Sequence, residues 1–205
     1  MPLVTMSRRR AGGIIAALAV FVIALALQDV LRSDVSAIRH WISHLSLGPW
    51  GGVNIAGLLL TGAAAAALVR PVRVATPSRW PAVMVAVAAT GLVLAAAFVS
   101  DAPPGTRYAE EATWHGQLHD LGGGLTFLGL FGTCLATRRL ATPPWGVVFA
   151  VIVALGFVTA SAMAAASFAV NGPALPSGIA ERVALLAGLA WLAFLAHRLS
   201  KGVDR

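Results

Sequence analysis

Two histidine pairs, His40 with His44 and His115 with His119, are each separated by three residues. On an α-helix this spacing puts both rings of a pair on one face, where two imidazoles can reach the same metal ion. Asp101 can add an oxygen ligand or orient an imidazole from behind, and Asp120 directly follows His119. Zinc takes three or four such ligands. With three, the open position holds a water whose pKa falls toward about 7, so that it can attack an ester or amide carbonyl. The expected set is Asp101, His115 and His119 around zinc, with Asp120 or His44 handling the proton and Asp29, His40, Ser43 and Asn54 completing a polar cavity. Two of the histidines can alternatively ligate haem, or switch charge as the surroundings acidify.

The elements that must position these groups follow from composition. The chain has 205 residues, 58% hydrophobic and 11% charged, with a mean hydropathy of +0.81, whereas soluble domains carry about 25% charged residues. This excludes an ordinary soluble globule. Disorder is excluded by the same hydrophobicity, and a disulfide scaffold by the single cysteine, Cys134. The net charge of +7 would suit nucleic acid only if gathered on one face, but the basic residues are scattered between apolar runs. The lipid bilayer is therefore the expected partner, and nucleic acid is not. Six runs meet the roughly 20-residue length of a membrane-crossing helix: 11–31, 51–69, 82–100, 118–137, 146–169 and 179–197. The expected fold is all-α, a single six-transmembrane-helix bundle over residues 1–205. The first run follows Arg8, Arg9 and Arg10 and has Ala24-Leu25-Ala26 as a cleavage-like site, but its length reads as a span rather than a signal peptide.

Six crossings put both termini on one side. Eleven of the 15 basic residues fall in the two tails and the 70–80 and 138–145 connections. That side is then cytoplasmic, in a cell membrane expected to be a bacterial inner membrane. The other four, Arg32, Arg39, Arg107 and Arg182, lie outside, together with seven of the eight acids and four of the five histidines. Asp29, Asn54 and Asp101 sit at outer helix ends, where exposure to lipid is costly, so they are expected to turn toward the bundle interior.

In the first outer loop, residues 33–50, Ile38, Trp41, Ile42 and Leu45 recur at helical spacing, with His40, Ser43 and His44 opposite. This predicts a short interfacial helix, capped by Asp34 or Ser36 and ended by Gly48-Pro49, with Trp41 and the aliphatic residues toward lipid or protein.

The stretch Ile-Ser-His-Leu-Ser-Leu-Gly-Pro-Trp-Gly-Gly-Val-Asn-Ile-Ala-Gly-Leu-Leu-Leu-Thr-Gly at 42–62 resembles the bacterial and archaeal membrane-protein family known as domain of unknown function 998. So do Phe-Val-Ser-Asp-Ala-Pro-Pro-Gly at 98–105 and Thr-Trp-His-Gly-Gln-Leu-His-Asp at 113–120. The matching positions are Asn54, Gly57, Gly62, Asp101, Gly116 and His119. The resemblance implies a six-span fold and brings no established activity. In site composition the chain is also similar to integral-membrane ceramidases and progestin-receptor-like proteins, which place Ser, Asp and His around zinc, although it lacks their seventh span. The leading expectation is a metal-assisted hydrolase of a lipid or amphiphile at the outer leaflet. The alternatives are a non-enzymatic transporter, a lipid-binding or pH-responsive component, and a haem protein.

Overall fold

Within hydrocarbon the backbone must satisfy its own polar groups, and a helix does so within one segment. The apolar runs accordingly form α1 (Arg8–Leu31), α2 (Gly51–Ala75), α3 (Trp80–Ala97), α4 (Trp114–Ala136), α5 (Pro143–Ala169) and α6 (Ser177–Lys201). The computed structural model describes residues 6–102, 113–140, 143–169 and 175–202, and among these no strand occurs. Pro103, Pro104 and the acids Glu110 and Glu111 lie outside the described residues. Five helices, all but α4, are long and apolar enough to cross a membrane. The first half of α4 carries His115, Gln117, His119, Asp120 and three consecutive glycines, which lowers its mean hydropathy.

Helix ends depart from the expected spans where side chains supply a missing partner. The Ser7 hydroxyl accepts the Arg10 N–H at 3.3 Å and starts α1 early. α2 continues through Pro71, which has no N–H to give the Ala67 carbonyl one turn back. Arg10 fills that gap, its Nη2 donating to Ala67 O at 2.9 Å.

Helices adjacent in sequence pack side by side, and α6 closes the ring against α1 while also touching α2 and α4. Each buries one stripe, as α1 does with Ile14, Leu18, Phe21 and Leu25, and leaves the rest outward, as with Val20, Ile23, Leu27 and Val30. α3 and α4 approach closely because glycines meet at their contact. A Cβ on Gly122 would lie 2.6 Å from the Ala95 nitrogen, closer than real Cβ atoms come.

The segment between α1 and α2 corrects the sequence reading. Instead of an amphipathic α-helix lying in the interface, residues 33–40 form turns and Ile42–Ser46 a short 3-10 helix. The segment dips into the bundle, with Ile42 and Leu45 buried and Ile38 left exposed. The physical reason is that its internal backbone bonds make only turns and one short 3-10 stretch, while other backbone groups bond to side chains of α2 and α6 and to Arg32, just past α1. Arg32 donates to the Leu45 and Leu47 carbonyls at 3.3 and 3.0 Å and forks onto Asp34 at 2.7 and 2.6 Å. That guanidinium holds the Asp34 carboxyl below the usual carboxylate range. Asn54 of α2 donates to the Ile42 carbonyl at 3.0 Å and to Ser46 Oγ at 2.9 Å. Glu181 of α6 accepts the Ile42 N–H at 2.6 Å. Arg182 reaches furthest: two nitrogens grip Asp29 of α1 at 2.9 and 2.6 Å, while Nη1 donates to the His40 carbonyl at 2.8 Å.

Asp29 and Arg182 are largely shielded, with 18% and 9% of their side chains exposed. Removing one partner of such a pair leaves the other charge uncompensated and typically costs roughly 3 kcal/mol or more. Arg182→Gln should therefore lower the melting temperature of the detergent-purified protein by several degrees, and Asp29→Asn should act in the same direction. Melting curves that superimpose on the wild type for both variants would contradict the clamp.

Candidate functional site

Beneath the α1–α2 segment lies a cavity of about 530 Å³. The segment contributes His40, Ser43 and His44; the chain just after α3 contributes Ser100 and Asp101; α4 contributes His119 and Asp120; and α6 contributes Glu181. The remaining wall is apolar and aromatic, from Trp41, Leu58, Leu92, Phe127, Phe157 and Leu185. Ser161 and Ser167 of α5 add hydroxyl groups. A polar end thus meets an apolar one inside a single space.

His119 is 5% exposed, and its Nδ1 sits 2.9 Å from the Ala95 carbonyl and 2.7 Å from that of Phe98. Carbonyls only accept, so Nδ1 carries a proton, and Nε2 is the nitrogen left to face other partners. These contacts also tie α4 to the end of α3.

Asp101 accepts the Thr113 N–H at 2.9 Å on Oδ2 and the Thr113 hydroxyl at 2.6 Å on Oδ1. Burial pushes its carboxyl up, but the hydrogen bonds from Thr113, helped by the nearby His115 and His119, leave it below the usual range. Gly116 permits this fit, since a Cβ there would run into the Asp101 carboxylate. Thr113 also caps α4 by accepting the Gly116 N–H at 3.1 Å.

His115 stands on the outside of this arrangement. It is exposed, and its Nδ1 lies 2.9 Å from Thr113 Oγ1. Because the one hydroxyl proton of Thr113 goes to Asp101, His115 must be the donor. It reaches Asp101 through Thr113 and does not line the cavity.

His40 and His44 stand edge to face with ring centres 5.9 Å apart. His40 Nδ1 accepts the Ser36 N–H at 2.9 Å, and burial, then Arg182 and Arg39, hold its pKa below the ordinary value. His44 Nδ1 is buried and makes no hydrogen bond among the described residues. Burial first, then His40, His119 and Arg182, push the pKa of His44 down to about 3. Both rings are therefore neutral near pH 7.

Of the residues singled out from sequence, the structure gathers His40, Ser43, His44, Asp101, His119 and Asp120 around one cavity. Asp29 and Asn54 turn inward as expected, but they hold the α1–α2 segment through Arg182 and the Ile42 carbonyl instead of facing the cavity. Among the described residues, no three His, Cys, Asp or Glu side chains gather closely enough to hold a metal ion. Sequence reasoning missed Ser100 and Glu181 as cavity residues and read Arg32 and Arg182 only as topology exceptions. The available signal was the placement of Glu181 and Arg182 at the start of an apolar helix, where charged groups need partners.

These features define a multi-pass helical membrane protein with a His- and Asp-lined cavity at one end of its helices. The chain belongs to the family described as Protein of unknown function (DUF998), which matches residues 15–198. No curated protein and no solved structure matches it.

The buried state of His44 has a consequence for stability. The folded ring titrates near 3 against an ordinary value of 6.5, so between those values the unfolded chain binds more protons. The stability contributed by the neutral ring is complete above about pH 6.5 and is lost on acidification, by at most about 1.4 kcal/mol per pH unit. His44→Gln should flatten the decline in melting temperature between about pH 7 and about pH 4, and an unchanged slope would contradict this assignment.

Proposed function

We propose that the protein crosses the cell membrane six times with both termini cytoplasmic, and that its cavity opens to the outer leaflet and binds a single lipid or other amphiphile. The observation that carries this reading is the two-ended lining. Polar His, Asp and Ser side chains cluster at the helix ends, and the space continues to Leu58, Leu92, Phe127 and Leu185. A volume of about 530 Å³ falls within the roughly 300–1,000 Å³ of small-molecule sites. One wall is α5, the least buried of the apolar helices, so the cavity lies close to lipid on that side.

The topology draws support from the basic residues and from tryptophan. Trp50, Trp80, Trp114 and Trp145 are all exposed and stand at or near the starts of α2, α3, α4 and α5. Tryptophan favours the two membrane–water boundaries, and four successive helix starts alternate between them if every helix crosses. α4 then crosses as well, with His119 of its polar first half turned toward α3 and the cavity.

A second reading, metal-assisted hydrolysis of the bound amphiphile, is favoured by His119. A ring whose Nδ1–H is held by carbonyls presents Nε2 as metal-ligating histidines do. Asp101 and His44 are the groups that would have to join it, with Asp120 taking the proton.

A fluorescent single-chain amphiphile should bind saturably to protein treated exhaustively with chelator, and Ala164→Trp, which fills the cavity from α5, should weaken that binding about tenfold, or roughly 1.4 kcal/mol. Binding that disappears on chelation and returns with zinc would carry the hydrolase reading instead. Binding unchanged in Ala164→Trp would contradict both.

A further inference from the structure

The charge and surface of the cavity narrow the ligand further, on the reading that it receives an amphiphile. Three carboxyl groups line it, those of Asp101, Asp120 and Glu181, and they come from three separate parts of the chain. Asp120 makes no hydrogen bond or ion pair among the described residues, and it sits beside His119 at the mouth. Against these acids the lining holds one cationic side chain, Arg39, which is exposed at the rim. The nearby Arg182 is already neutralised by the two-pronged grip on Asp29. Surplus negative charge next to hydrocarbon is costly without a counter-charge.

Two independent features point the same way. Ser100 is 7% exposed, lines the cavity, and its hydroxyl has no partner among the described residues. A buried hydroxyl seldom stays unpaired, and here it is available to accept from a ligand N–H. The cavity wall also carries aromatic rings. Phe127 and Phe157 stack with ring centres 4.4 Å apart, and Trp41 meets Phe157 edge-on at 6.3 Å. Aromatic faces attract cations, ammonium groups above all, and do so more strongly when water is excluded.

We propose that the cavity selects amphiphiles with a cationic, amine-type headgroup, held between the carboxylates of Asp101 and Asp120 and the aromatic wall of Phe157 and Trp41. An anionic headgroup would face Asp101 and Asp120 with only the rim arginine in compensation. An uncharged one would leave the acids without a counter-ion.

The test uses full-length protein in maltoside micelles and three ligands that share an octyl tail: octylammonium, octyl sulfate and octanol, with affinity read from intrinsic tryptophan fluorescence. The ammonium compound should bind at least about tenfold more tightly than the sulfate. Asp120→Asn, on an exposed position that leaves the fold intact, and Phe157→Leu should each cut that preference several-fold. Equal affinity for all three, or tighter binding of the sulfate, overturns the headgroup assignment while leaving amphiphile binding in place. Saturable binding of none of them overturns amphiphile binding itself, and the headgroup assignment with it.

Discussion

The structure depends on the guanidinium of Arg182. It leaves the second turn of α6, grips both oxygens of Asp29 at the end of α1, and donates a further hydrogen bond to the His40 carbonyl of the connecting segment. One side chain therefore joins the first helix, the last helix and the segment that roofs the cavity. Planar, two-pronged geometry makes arginine suited to this task in a way that lysine is not. The next residue back, Glu181, accepts the Ile42 N–H from the other side, so the same helical turn fixes the segment through one donor and one acceptor. Arg32 repeats the arrangement at the opposite end of the segment, through Leu45 and Leu47. With its backbone bonded outward in this way, the segment can be irregular and still enter a bundle surrounded by hydrocarbon.

That roof makes the cavity a defined space rather than a gap between helices. It lowers His40, Ser43 and His44 onto a floor made by five other helices, and it keeps both imidazoles neutral by burying them beside arginine. On the far side, His119 and Asp101 are set by the junction of α3 and α4. Gly91, Gly116 and Gly122 remove the side chains that would otherwise separate those helices or displace the carboxylate. The small residues that read in sequence as general packing material thus have a specific result at this end of the bundle.

The helices were legible because each rests on a local rule: about 20 apolar residues span the hydrocarbon, and polar residues mark the ends. The clustering of histidine and acid at one end was legible for the same reason, and six of the nominated side chains do share a cavity. The α1–α2 segment was misread because its apparent 3.6-residue period is accidental to partners roughly 140 positions away in sequence. No local pattern discloses that Glu181 and Arg182 will take its backbone groups. His115 was misassigned on similar grounds. Spacing places it on the same face as His119, but it lies at the first turn of α4 and bonds to the cap residue Thr113. Arg32 and Arg182 were counted as charges to be assigned to a side, and charge counting takes no account of hydrogen-bond geometry.

A roofed, two-ended cavity bounded by acids, neutral histidines and aromatic rings is the feature to which these constraints lead, and an amphiphile is what its shape and chemistry accommodate. Native mass spectrometry of the protein released gently from its own membrane tests this most directly. The account predicts one tightly retained adduct per chain, of a mass consistent with an alkyl-chain amphiphile, that is lost when the Arg182–Asp29 clamp is broken. Protein that emerges without an adduct, or with only a graded series of loosely attached lipids indifferent to the clamp, would contradict it.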